Sequence, residues 1–143
     1  MIIKAEKDIN RVKSMVSLVL NREEFVSSID INKFPTIALE NYYEIVRELG
    51  SALILTEGFK PAGENAHKDL IDFLVKKKFI LESEAYVFNS LRIRRNKSYY
   101  EGKTTEENYL ADKLGDISSL IKKLKYSIKT KLNNKGDINV KRS

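Results

Sequence analysis

Apolar residues recur at three- and four-residue steps along most of the chain, and this periodicity predicts amphipathic helices. The first such pattern covers residues 2–21. A second begins at Pro35, a residue suited to the first turn of a helix, and is ended by Gly58. A third, shorter pattern runs from Leu70 to about Lys78. The first half of the chain is therefore expected to form three helices.

Two further helices are expected in the second half. Ser83 has the side chain of an N-cap for the fourth helix, and Gly102 interrupts its pattern. Thr104 and Glu107 have the spacing of a capping box before the fifth helix. That helix carries a heptad seam of apolar residues: Leu110, Leu114, Ile117, Ile121, Leu124 and Ile128. The segment 133–136, Asn-Asn-Lys-Gly, is expected to end it.

The overall pattern predicts one all-α domain. No segment of useful length alternates with period two, so no strand is expected. Five helices joined by short connections favour an up-and-down bundle. Residues 1–133 are predicted to form this domain and residues 134–143 a basic, disordered tail.

The composition of the chain excludes several kinds of active site and metal site. The chain has no cysteine, which excludes a disulfide framework, a thiolate metal site and a cysteine nucleophile. It has no P-loop or glycine-rich dinucleotide motif, and neither a metal nor a cofactor is expected. Charges recur through the first residues, and no apolar run is long enough to span a bilayer. A cytoplasmic protein without membrane contact is therefore expected.

The net charge of +6 is concentrated near the end of the chain. Residues 121–143 hold eight Lys or Arg and one Asp, a sum of +7, whereas residues 1–120 sum to −1. This segment is either a solvated helix end or an arm that attracts phosphates.

The fourth helix contains the most informative cluster of charges. Four cations fall within six residues: Arg92, Arg94, Arg95 and Lys97. Arg95 continues the apolar stripe of Phe88 and Leu91, so its guanidinium needs a partner. That partner is either an acid on a neighbouring helix, such as Glu44 or Glu48, or an anionic ligand in a cleft.

The surroundings of Arg95 resemble the signature of the HEPN family (higher eukaryotes and prokaryotes nucleotide-binding domain). In that family an Arg, often followed by Asn or another polar residue, is separated from a His by four to six intervening residues. A variant has two arginines three apart and then a tyrosine, to which Arg92, Arg95 and Tyr99 or Tyr100 are similar. The tyrosine-rich segment 41–58 resembles the second helix of the family, and the likeness covers roughly residues 35–130.

The resemblance implies a homodimeric helical bundle whose cleft binds RNA or a nucleotide. Many members are metal-independent endoribonucleases, often toxins beside a nucleotidyltransferase-like antitoxin, and others bind without catalysis. The implied catalytic residues are Arg95, Asn96 and Tyr100. The implied phosphate-binding residues are Arg92, Arg94, Lys97 and Tyr99.

The chain departs from the family at the motif histidine. Counted from Arg95, the possible positions hold Tyr100, Glu101 and Gly102, and counted from Arg94 they hold Tyr99, Tyr100 and Glu101. A tyrosine titrates near ~10, so it is a poor base at neutral pH but can hydrogen-bond a phosphate. The only histidine, His67, lies elsewhere and is expected to be a surface or capping residue, with a place in the cleft as the alternative. Enzymatic activity therefore stays open. The alternative is a non-catalytic interaction module, partnering a nucleotidyltransferase-like protein or self-associating through the heptad seam.

Overall fold

The computed structural model of the protein describes the backbone of residues 1–102, 104–105 and 107–142, with side chains except those of 107 and 135–142. The described elements are β1 (Ile2–Lys4), α1 (Ile9–Ser27), α2 (Pro35–Leu55), β2 (Phe59–Pro61), α3 (Ala66–Lys76), α4 (Glu82–Glu101) and α5 (Glu107–Arg142). The predicted all-α bundle of five helices is confirmed. None of these helices has an apolar stretch long enough to cross a membrane.

Helix α2 lies at the centre of the bundle, where it packs against α1, α3, α4 and α5. Its buried residues include Leu39, Tyr43 and Leu53 and are not confined to one stripe. A helix that is apolar on most sides is expected in an interior. The seam of α5 belongs to the same core, since Ile117 and Leu124 are fully buried. This seam therefore packs within the chain and is not an exposed surface for self-association.

The two strands correct the prediction for the start of the chain. Residues 2–4 pair antiparallel with residues 59–61, with Ile3 opposite Lys60. The Ala5 amide then donates a hydrogen bond to the Gly58 carbonyl at 2.9 Å. Apolar residues at the start fitted a helical period, but β-branched Ile2 and Ile3 also suit a strand once a partner is present. Helix α1 begins only at Ile9, after the N-cap Asp8.

Close packing of α2 against α3 depends on Gly50. A Cβ at this position would lie 3.0 Å from Leu74 Cδ1 and 3.4 Å from Leu70 Cδ2. The missing side chain lets the two α3 leucines approach the α2 backbone. This packing positions α3, and with it the residues at its start, against the centre of the bundle.

The ends of α4 agree with the sequence prediction in one place and differ in another. Gly102 ends the helix in the left-handed conformation, with φ of 68°, as expected. The predicted N-cap Ser83 is wrong. The helix starts at Glu82, and the Leu81 amide donates to Glu84 Oε1 at 2.7 Å. A carboxylate three residues after the cap position thus satisfies an amide at the start of the helix. The proposed Thr104–Glu107 capping box lies partly outside the described residues.

Helix α5 continues beyond its predicted end. Its backbone is helical to Arg142, through the Asn-Asn-Lys-Gly segment that was expected to end it. Asn and Gly lower helix stability by at most about 1 kcal/mol each relative to Ala, so they do not force a helix to stop. The side chains from residue 135 on lie outside the described part, and the disordered basic tail stays a prediction.

Candidate functional site

A cleft of about 370 Å³ lies between the start of α3 and the second half of α4. We call it the α3–α4 cleft. Helix α4 contributes four side chains that share one face because of their spacing: Arg92, Arg95, Asn96 and Tyr100. The facing wall is the segment from Gly63 to Lys68. This volume is within the range of roughly 300–1,000 Å³ that small-molecule sites occupy.

Arg95 combines the two roles that the sequence left open. Its Nη2 lies 3.3 Å from Glu44 Oε1, and its side chain is only 15% exposed. Glu44 is shared, because Arg47 donates to its Oε2 from Nε at 3.0 Å and from Nη2 at 2.7 Å. One carboxylate thus serves two guanidinium groups. Arg95 forms an ion pair and also keeps a cationic surface towards the cleft.

The remaining contacts of Arg95 fix its plane but do not satisfy all its donors. Nη1 donates to Asn96 Oδ1 at 3.3 Å, and the guanidinium carbon lies 4.4 Å from the Tyr99 ring centroid. A guanidinium has five N–H donors, and the hydrogen bonds to Asn96 and Glu44 occupy two of them. Donors are therefore left for an anionic ligand.

Arg92 is the second guanidinium of the cleft. Its Nε donates to Asn89 Oδ1 at 2.9 Å, a neutral acceptor. No described carboxylate forms an ion pair with it. Together with Lys68 it gives the cleft wall uncompensated positive charge, since Glu64 is the only carboxylate among the described residues that line it.

The start of α3 adds backbone donors to the same cleft. Asn65 occupies the N-cap position, yet its side chain makes no capping hydrogen bond. The first amides of a helix lack carbonyl partners within the helix and attract anions. The amides of His67 and Lys68 lie in this first turn. The positively charged side chains of Arg92 and Arg95 on α4 thus face the N-terminal end of α3, which carries partial positive charge.

His67 lies in the cleft, the alternative position that the sequence left open for it. It is half-buried in the wall of the cleft, and its Nδ1 lies 2.8 Å from the Tyr43 hydroxyl. The expectation of a surface or capping residue is corrected. No local signal revealed this position, because His67 precedes Arg92 by a full helix and a turn. Only the packing of α3 on α2 brings it to the cleft.

The environment of His67 favours its neutral form. Burial lowers its pKa from the ordinary value of 6.5, and the nearby charges of Arg47 and Arg95 lower it further. Burial also raises the pKa of Tyr43 to about 12, so the phenol stays protonated at neutral pH. At pH 7 the cleft therefore contains a neutral imidazole hydrogen-bonded to a neutral phenol.

Two of the predicted phosphate-binding cations lie away from the α3–α4 cleft. Arg94 and Lys97 line a separate groove with Tyr86 and Ile93. The Arg94 guanidinium stacks on Tyr109, with 3.6 Å between its carbon and the ring centroid. Since they occupy a different side of α4, they do not act together with Arg92 and Arg95.

Tyr99 and Tyr100 also separate. Tyr100 lines the α3–α4 cleft and is 74% exposed, whereas Tyr99 lines a neighbouring groove with Glu40 and Glu44. Their rings still meet edge to face at 5.5 Å. Only Tyr100 is placed to contact a ligand in the cleft directly.

The described residues contain no cluster of three or more His, Asp or Glu side chains arranged as metal ligands would be. In comparisons with known proteins, no family model matches the chain, and no curated protein matches its sequence.

Proposed function

We propose that the α3–α4 cleft binds the phosphate groups of RNA or of a nucleotide. The observation that carries this proposal is the convergence of Arg92 and Arg95 on the start of α3. Two guanidinium groups and a helix N-terminus supply the planar donors and the positive field that a phosphate prefers. Asn96 and Tyr100 add neutral donors at the edge of the cleft.

The resemblance to the HEPN family supports the same class of ligand. Its motif positions Arg92, Arg95, Asn96 and Tyr100 are the α4 residues that line the cleft. On that resemblance alone, we also propose a homodimer and a nucleotidyltransferase-like antitoxin partner. The buried heptad seam lends no support to self-association.

The presence of His67 favours ribonuclease activity as part of this proposal. A base must take the proton of the ribose 2′-hydroxyl while the 2′ oxygen attacks phosphorus and the bond to the 5′ oxygen breaks. The products are a 2′,3′-cyclic phosphate and a 5′-hydroxyl, whose proton comes from water. A neutral imidazole beside two guanidinium groups suits this role better than the tyrosine at the motif position. The guanidinium groups would stabilise the charge of the pentacoordinate phosphate.

Binding is tested by fluorescence anisotropy with a labelled single-stranded RNA and, separately, with a nucleoside monophosphate in competition. Arg92→Ala and Arg95→Ala should each weaken binding about 10-fold or more, as expected when a charged hydrogen bond is removed. Arg94→Ala is the matched control, because it removes the same charge from the same helix outside the cleft. Equal losses for Arg94→Ala and Arg95→Ala would rule out a specific cleft.

A further inference from the structure

A second basic cleft adjoins the first at the start of α3. It has a volume of about 290 Å³ and lies between α1, α2, β2 and α3. We call it the α1–β2 cleft. Ala66 and His67 line both clefts, so this turn of α3 borders both cavities. A ligand that occupies both clefts would therefore pass His67.

The α1–β2 cleft has positive charge that the protein does not neutralise. Among the described residues that line it, the cations are Arg11, Arg47 and Lys60, and the one carboxylate is Glu48. Arg47 is paired with Glu44 and Glu48, at 2.7 and 2.9 Å. Arg11 and Lys60 are exposed, and neither forms an ion pair with a described carboxylate. Two free cations thus face a cavity that already adjoins the proposed phosphate site.

The β1–β2 ribbon explains how Lys60 reaches this position. It occupies the middle of strand β2, where it is held opposite Ile3 by the antiparallel pairing. Arg11 lies in the first turns of α1, just after the N-cap Asp8. Each cation is therefore carried by a regular element, Arg11 by α1 and Lys60 by β2, and both line the cleft.

We propose that the two clefts form one track for single-stranded RNA, with successive phosphates bound on either side of His67. This inference rests on the proposed function and specifies its ligand as an oligonucleotide instead of a mononucleotide. One phosphate lies with Arg92 and Arg95, and a neighbouring phosphate lies with Arg11 and Lys60. The sugar between them passes over the start of α3.

A length series tests the track. Anisotropy competition is measured for a nucleoside monophosphate and for 2′-O-methyl oligonucleotides of increasing length. These oligonucleotides resist cleavage because they lack the attacking 2′-hydroxyl. Affinity should rise about 10-fold when the ligand gains enough phosphates to reach the second cleft. Arg11→Ala/Lys60→Ala should abolish this rise and leave mononucleotide affinity unchanged. In a plot of the logarithm of the binding constant against the logarithm of salt concentration, the slope should become less steep by about 0.7 for each phosphate that the variant no longer binds.

The matched control is Lys13→Ala/Lys129→Ala, which removes two charges from the groove between α1 and α5. It should retain the length dependence. Equal affinity of the wild type for short and long ligands would overturn the track, as would an equal loss in the control variant. If the Arg11/Lys60 variant keeps the length dependence while Arg95→Ala loses all binding, the track is wrong and the phosphate site stands. If the wild type binds neither ligand, both proposals fail.

Discussion

The hydroxyl of Tyr43 and Nδ1 of His67 lie 2.8 Å apart and join the centre of the bundle to the wall of its basic cleft. Tyr43 is fully buried on α2, and its ring also lies 5.5 Å from the guanidinium carbon of Arg95. One core residue thus contacts both the imidazole and a cation of the proposed site. In the tautomer with hydrogen on Nδ1, the phenol oxygen accepts and the Nε2 lone pair is left for a ligand proton.

Replacing Tyr43 with Phe should remove this hydrogen bond and little else. We expect the free energy of unfolding to fall by about 1 kcal/mol, since a half-buried imidazole nitrogen is left without its partner. Urea denaturation measures the change. Tyr86→Phe, at a residue that is 71% exposed, is the control and should be neutral. Equal stability of the two variants would contradict the contribution of the Tyr43–His67 bond.

The imidazole of His67 should titrate below its ordinary range. Because burial and neighbouring cations lower its pKa, its NMR-monitored pKa should lie below 6.5. His67 is the only histidine, so its signal is unambiguous. The charged and titratable groups that line its two clefts or shift its pKa are Arg11, Tyr43, Glu44, Arg47, Glu48, Lys60, Glu64, Lys68, Arg92, Arg95 and Tyr100. A measured pKa at or above 6.5 would contradict the buried, cationic environment.

The same shift predicts the pH dependence of stability. The unfolded chain binds a proton at His67 more readily than the folded chain, because the folded pKa is the lower one. Stability should therefore fall as pH decreases from about 6.5 through the folded pKa. His67→Asn should remove this part of the dependence. An unchanged pH profile of urea denaturation in the variant would show that His67 is not its source.

Gly50 is predicted to control the approach of α3 to α2. Gly50→Leu should lower stability by about 1–3 kcal/mol, because the new side chain would overlap Leu74 and Leu70. It should also weaken RNA binding by displacing the start of α3. Gly115→Leu is the control, since a Cβ there meets nothing within 4 Å. If both variants are equally stable, the close packing at Gly50 has no energetic role.

Much of the helical framework could be predicted from the periodicity of apolar residues, from Pro35 at the start of α2 and from Gly102 at the end of α4. The short ribbon was not predictable in this way, because residues 2–4 form a strand only through their pairing with residues 59–61. The phasing of α4 correctly placed Arg95 on an inward face, and Glu44 was among its expected partners. The separation of Arg94 from Arg95 follows from the direction of each side chain around the helix.

The place of His67 in the cleft is the clearest case that the sequence could not reveal. It depends on a tertiary contact with Tyr43, which lies on another helix. The spacing of residues in a motif predicts which side chains are neighbours on the same helix, but not which side chains of different helices come together. Residues brought together by the packing of α3, α2 and α4 share no local pattern.

Most of the heptad seam of α5 is buried within the chain, so its side chains are expected to contribute to stability. Ile117→Ala should cost about 2–5 kcal/mol, as expected for a fully buried aliphatic side chain. Urea denaturation gives this change in stability, and sedimentation gives the oligomeric state. Tyr126→Ala, at a residue that is 72% exposed, is the control on the same helix. Dissociation of an oligomer without loss of stability in Ile117→Ala would contradict the intramolecular role of the seam.

The most direct test of the phosphate site is to follow the backbone amides by ¹H–¹⁵N NMR while the wild-type protein is titrated with a nucleoside monophosphate. We expect the largest shifts at His67 and Lys68 and around Arg92 to Asn96. Arg95→Ala should reduce these shifts. Shifts confined to the basic segment 121–143, with none at the start of α3, would contradict it and favour the basic segment as the site of anion binding.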